Sequence, residues 1–299
     1  MCCTEYQWSF LIAYPAVSLS IILLWWSVVV RPLRIFSVVL HEFSHGLAIL
    51  LSCGTIYDVT VNRFEGGLIK WAPRCTLFLR CTFPIVAAAG YLGVSLFGTC
   101  LLMTIGLFEW RIIMLRLFSV LLILASLVSF KRPALRFEAT WILLFGVLSV
   151  TCSMRPDSVI TWYYILFSSS MLSIYASYDV YDDTVRRVFP DSDASHFSLA
   201  IFGNISKSRF IGRIWYMICV FLHIFGVIFT FNYLKDDANM VPFNEISVVR
   251  YILFLWALVF ACLFAGIGAC RPRIAASSDD MTWYAMICHD MPWYAMISS

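Results

Sequence analysis

The sequence predicts an all-α polytopic membrane protein of about eight transmembrane helices, with a short β-hairpin after the second helix. Three observations point there. Of 299 residues, 61% are hydrophobic and 13% charged, where an ordinary soluble domain carries about a quarter charged. The apolar residues gather into repeated runs of roughly 20, the length that crosses a bilayer core. Aromatic residues reach 17%, which suits the Trp and Tyr belts of membrane interfaces. A soluble core could not bury so much apolar surface, whereas in a bilayer that surface is the solvated one.

The runs follow one another in order. Ser9 to Val30 is too long for a signal-peptide core and carries Glu5 in place of a basic flank, so it reads as a retained span. Arg31-Pro32 ends it. Leu33 to Cys53 forms the second run and stops at Gly54, a natural helix terminator. A polar stretch from Gly54 to Arg80 follows, in which Thr55-Ile-Tyr-Asp-Val-Thr-Val61 is β-branched and Glu65-Gly66-Gly67 gives a turn. Two short strands are expected there. Later spans are expected at Leu79–Leu107, Ile112–Phe130, Ala139–Met154, Val159–Tyr178, Gly212–Tyr233 and Tyr251–Ala269. Residues 1–270 thus read as one membrane domain, and residues 271–299 as a polar tail. In that tail Asp280-Met-Thr-Trp-Tyr-Ala-Met-Ile-Cys-His289 is echoed, with seven identities, by Asp290-Met-Pro-Trp-Tyr-Ala-Met-Ile-Ser-Ser299. Two copies are too few for a solenoid and read as a duplication.

With strict alternation, Arg63, Lys70, Arg74, Arg80, Lys131, Arg132, Arg136, Arg186, Arg187, Lys207, Arg209, Arg271 and Arg273 share one side. Arg31, Arg34, Arg111, Arg155, Lys235 and Arg250 face the other. The positive-inside rule then puts both termini in the cytoplasm, and leaves the single sequon, Asn204-Ile205-Ser206, unglycosylated. A net charge of +3 without any basic block argues against a nucleic-acid partner. The 11 Cys include no CxxC pair and sit mostly in apolar runs, where Cys behaves as a small hydrophobe. Cys2-Cys3 is a candidate for palmitoylation.

Chemistry concentrates in the second span, as His41-Glu42-Phe43-Ser44-His45. Histidines four apart lie on one helical face about 6 Å from each other, so both imidazoles can reach one metal ion. The Glu after the first His projects beside that face, where it can take a proton from water activated by the metal. Only five His and six Glu occur in the chain, and both types are costly within a span, where they mark function by default.

A catalytic zinc site usually has three protein ligands. His196 reads as a loop residue, His223 as a hydrogen-bonded packing residue of its span, and His289 as part of the tail. Carboxylates are the better candidates. Asp179, Asp182 and Asp183 cluster at the end of the sixth span, and Asp191 and Asp193 follow in a turn. Asp179 is preferred, because it stands nearest the apolar span and so nearest the depth of His41 and His45.

The helix Val38-Val-Leu-His-Glu-Phe-Ser-His-Gly-Leu-Ala48 resembles the zinc helix of the site-2 proteases, the intramembrane zinc metallopeptidases, most closely their M50B-like branch. The strand segment Gly54–Val61, the Gly66-Gly67 turn, Ala89-Gly90-Tyr91-Leu92-Gly93 and the late Asp-rich stretch resemble that branch's blocks in order, over about residues 31–200. The Asp-Gly dipeptide of site-2 proteases proper does not occur, nor does a soluble stretch long enough for a PDZ-like domain. The resemblance implies Zn2+ held by His41, His45 and Asp179, with Glu42 as general base and a membrane-spanning protein substrate. It also implies that Gly90 and Gly93 allow close helix approach near the site. Two other readings fit the same residues: a metal-binding scaffold without catalysis, and an ion or proton transporter.

Overall fold

The computed structural model describes residues 4–61, 66–73, 79–187, 189–190 and 192–234. The expected span Tyr251–Ala269, the tail repeat, Cys2-Cys3, Glu65 and Asp191 lie outside the described residues. Eight α-helices and one hairpin follow in the order α1 (Glu5–Leu23), α2 (Arg31–Leu51), β1 (Gly54–Val61), β2 (Gly67–Pro73), α3 (Leu79–Met103), α4 (Phe108–Phe130), α5 (Arg136–Met154), α6 (Val159–Val180), α7 (Asp193–Phe202) and α8 (Ser208–Tyr233). All but α7 are long and apolar enough to cross a membrane.

Sequence signals place the ends. Thr4 caps α1 with a reciprocal box to Gln7. Pro32 sits in the first turn of α2, where its missing N–H costs nothing. Past the end of α2, Cys53 and not Gly54 takes the left-handed conformation, at φ 60°. Gly54 is required for a different reason: a Cβ there would meet Ile49 Cγ2 at 2.6 Å. β1 and β2 pair antiparallel, from Gly54 opposite Pro73 to Val61 opposite Gly67, with a bulge at Tyr57 and Gly66 at φ 71° in the turn. Ile56 and Ile69 lean over Gly46, so the hairpin covers the histidine-bearing face of α2.

The helices do not alternate as the sequence suggests. α3 and α8 run side by side, with Thr230 Oγ1 donating to the Leu102 carbonyl at one end and Tyr91 against Trp215 at the other. α6 opposes them, its Val180 packing with Ala87, Tyr91, Ile211 and Trp215. Strict alternation would make α1 antiparallel to α6. Instead Phe10 packs on Trp162 at the start of α6, and Trp25, just past α1, packs on Tyr175 and Tyr178 near its end. Gln7 Nε2 also donates to the Phe231 carbonyl at the far end of α8. The start of α1 therefore lies at the face opposite the starts of α3 and α8.

α2 makes up the difference. It begins beside the first turn of α5, where Arg31 Nη2 lies 2.5 Å from Glu138 Oε1. Its end sits beside the start of α3: Gly54 lies against Trp71, which stacks on Phe83. Both places belong to one face of the bundle, so α2 lies across it and does not deliver the chain to the other side. The reason is in the sequence. The buried stripe of α2 holds Ser37, His41, Glu42 and His45, polar groups that protein can satisfy and lipid cannot. Its other stripe exposes Phe43, Leu47, Leu50 and Leu51. This arrangement corrects the alternation on which a shared face for both termini rested, and moves Arg31 and Arg34 to the face of Lys131 and Arg136.

On the opposite face Arg111, 1% exposed, pins two turns together. It donates to the carbonyls of Thr104, Ile105 and Pro156 at 3.2, 2.7 and 2.7 Å.

Candidate metal centre

Two helices and one chain reversal build the site. α2 supplies His41 and His45, one turn apart on its buried stripe. α6 continues into a π-helical turn, Tyr181–Arg186, and the chain folds back so that α7 starts over α2. Ser192 caps α7, its hydroxyl accepting from the Ser195 N–H, while Ser195 Oγ donates to the Phe189 carbonyl. Asp193 is the first residue of α7 and is thereby aimed at the two histidines.

His41 Nε2 lies 2.9 Å from Asp193 Oδ2, His45 Nε2 lies 3.2 Å from the same oxygen, and the two Nε2 atoms are 2.9 Å apart. His45 Nδ1 faces the Val86 carbonyl at 2.6 Å and donates to it, which leaves the Nε2 lone pair turned toward the cluster. Two imidazole nitrogens this close cannot both carry hydrogen, so at least one presents its lone pair to the cluster. Around a tetrahedral zinc ion with bonds of roughly 2.0–2.1 Å, donors stand about 3.3 Å apart, close to the observed triangle. Among the described residues only His41, His45 and Asp193 form such a group. Imidazole and carboxylate donors are also the ligand types zinc takes.

The surroundings hold these side chains in place. Tyr91 packs edge-on against the His41 ring at 4.7 Å. A Cβ at Gly90 would fall 2.3 Å from His41 Nε2 and 2.5 Å from His45 Nε2, and one at Gly93 would fall 2.5 Å from Ser44 Oγ. Both glycines let α3 approach α2, as the family resemblance implied. Burial alone would push the Asp193 carboxyl up. The charges and hydrogen bonds of His45 and His41 outweigh it and hold the group well below the usual carboxylate range.

Glu42 is buried beside the cluster, near enough to His41, His45 and Asp193 to interact electrostatically. The Gly67 backbone N–H donates to its carboxylate, and a Cβ at Gly67 would meet Glu42 Cγ at 2.3 Å. The start of β2 thus fixes the glutamate.

Asp179 is not part of the three-residue group. It sits on α6, hydrogen-bonded to the Tyr175 hydroxyl and in electrostatic range of His41. Asp182 and Asp183 pair with Arg186 and Arg187. His196 lies on α7 against Phe83, and His223 pairs with the Tyr14 hydroxyl; His289 lies outside the described residues. The sequence places Asp193 among the candidates but gives no reason to prefer it. One signal was present: Ser192 directly before it, with polar residues after, has the pattern of a helix N-cap and would aim Asp193 from the start of a helix.

A family model described as Peptidase M50B-like matches residues 14–231, a stretch that contains every residue of the cluster. No curated protein and no solved structure matches the chain.

Proposed function

Since the chain belongs to the M50B-like peptidase family, we propose that it is a membrane-embedded zinc metalloprotease that hydrolyses peptide bonds of membrane-associated protein substrates. The observation that carries this reading is the convergence of His41, His45 and Asp193 on one point, with Glu42 fixed beside it. The family is generally zinc-dependent, and the donor set suits that ion.

In this reading His41, His45 and Asp193 hold the ion. Asp179, the carboxylate favoured by sequence alone, stands behind them in the electrostatic environment of His41. A zinc ion held there supplies Lewis-acid activation of water and of the scissile carbonyl. Glu42 is the general base: it accepts a proton from the attacking water and returns it to the leaving amine. The Gly67 N–H keeps its carboxylate oriented during both transfers. The Val86 carbonyl keeps His45 in the tautomer that presents Nε2. The hairpin over Gly46 screens one flank of the site from lipid, and a substrate helix would have to unwind locally to present its bond.

The test compares membrane-protein fragments in membranes that carry the wild-type chain or Glu42→Gln. Fragments present with the wild type and missing with Glu42→Gln, at equal zinc content, support the reading. Equal fragment patterns from two zinc-replete proteins overturn it in favour of a metal-binding scaffold.

A further inference from the structure

The corner between α7 and α8 is not used by the metal centre, and its composition is one-sided. From Ala194 to Leu234 the chain contains no Asp or Glu, while Lys207, Arg209 and Arg213 fall within seven residues. Among the described residues none of these three takes part in an ion pair, unlike Arg186 and Arg187, which Asp182 and Asp183 neutralise. Arg209 and Arg213 stand four apart on α8 and share a face. The Lys207 ammonium lies 4.3 Å from the centre of the Phe202 ring, which sets it at the end of α7.

Among the described residues, a shallow open groove on the exposed surface of α8 begins at this cationic corner and is formed by that helix's own Phe210, Arg213, Ile214, Met217, Ile218 and Phe221. Arg213 is its one charged residue, and the rest is apolar and largely exposed, Met217 at 63% and Phe221 at 67%. A cationic corner at the head of an exposed apolar strip on a membrane helix has the chemistry of one ligand class.

We propose that this groove is a binding site for an anionic phospholipid, with the headgroup phosphate on Arg213, Arg209 and Lys207 and an acyl chain along the stripe from Phe210 to Phe221. Charge complementarity decides the occupant. A zwitterionic lipid brings its phosphate together with its own cation and so no net counter-charge, whereas an anionic headgroup gains from each of the three cations. Phe202 and Phe210 flank the cations. The site is independent of zinc and of proteolysis.

Native mass spectrometry of the detergent-purified full chain tests it, with phosphatidylglycerol and phosphatidylcholine of equal acyl length and with free glycerol phosphate. The wild type should retain the anionic lipid at least ten-fold over the neutral one. Each cation removed, as in Arg213→Gln and Arg209→Gln/Arg213→Gln, should lower that preference about five-fold, the equivalent of ~1 kcal/mol. Met217→Trp puts bulk onto the apolar strip without touching charge and should weaken lipid retention, with the unfolding midpoint confirming the fold of each variant. Equal retention of both lipids overturns the proposal. So does a preference that survives the double substitution in a folded protein, or competition by glycerol phosphate as strong as that by the lipid.

Discussion

A methyl group added at Gly90 would arrive 2.3 Å from His41 Nε2 and 2.5 Å from His45 Nε2, the two atoms proposed to bind zinc. Ordinary contact between a Cβ and such a nitrogen needs about 3.4 Å, so the imidazoles must retreat by roughly 1 Å, against the ±0.2 Å that metal–ligand distances tolerate. The ring of His41 cannot easily move, because Tyr91 packs on it and Asp193 meets its Nε2. Gly90→Ala should therefore lower zinc affinity by ~10²-fold or more, about 3 kcal/mol, beyond the ordinary overpacking cost of about 1–3 kcal/mol in fold stability. A chelator competition on detergent-purified protein reads the affinity, and a thermal melt reads the fold. Gly98→Ala is the matched control: on the same helix its Cβ would crowd Ser173 and Leu172, at 2.9 and 3.0 Å, away from the ligands. It should cost stability but leave zinc affinity unchanged. Zinc binding by Gly90→Ala as tight as by the wild type would refute the reasoning, since the ligands could not then converge where they do.

Three further outcomes follow from the same geometry. Gly67→Ala pushes on Glu42 Cγ from 2.3 Å, so it should keep zinc yet lower proteolysis at least ten-fold, by the Brønsted-type contribution of a displaced base; unchanged proteolysis would contradict the role of β2. Arg111→Ala leaves the carbonyls of Thr104, Ile105 and Pro156 without their donor and should cost ~3 kcal/mol or more, seen as a lower unfolding midpoint that Arg111→Lys restores only in part. Thr4→Cys and Asn204→Cys, labelled with an impermeant thiol reagent in sealed vesicles relative to the same markers in untouched protein, should react from opposite faces, because α1 runs parallel to α6. Labelling from one face would restore strict alternation.

Much of this was legible in the residues. Helices α1 to α6 and α8 stand where apolar runs of bilayer length predict them, and the β-branched stretch before Gly66-Gly67 gives the hairpin. The four-residue spacing of His41 and His45, with Glu42 between, brings the site to one helix face. Two features were not legible, for physical reasons. The proposal of Asp193 in place of Asp179 rests on a chain reversal through the π-helical turn at Tyr181–Arg186, a tertiary path with no period of its own. Proximity in sequence to an apolar span favoured Asp179, which the fold sets beside Tyr175. The course of α2 was hidden too, because hydropathy reports length and polarity but not tilt. A run of 21 residues that holds His41, Glu42 and His45 on a buried stripe is apolar enough to cross, yet its polar stripe needs protein neighbours. With α2 laid across the bundle, Arg31 and Arg34 join the other cations on the face where α3 and α8 begin.

The most direct test of the metal centre is the zinc content of detergent-purified wild-type protein beside His41→Ala, Asp193→Ala, Asp179→Ala and Glu42→Gln. The account predicts about one zinc per chain in the wild type, lost in His41→Ala and Asp193→Ala and kept in Glu42→Gln and Asp179→Ala. Zinc kept by a folded Asp193→Ala protein but lost from Asp179→Ala would contradict it and return the third ligand to α6.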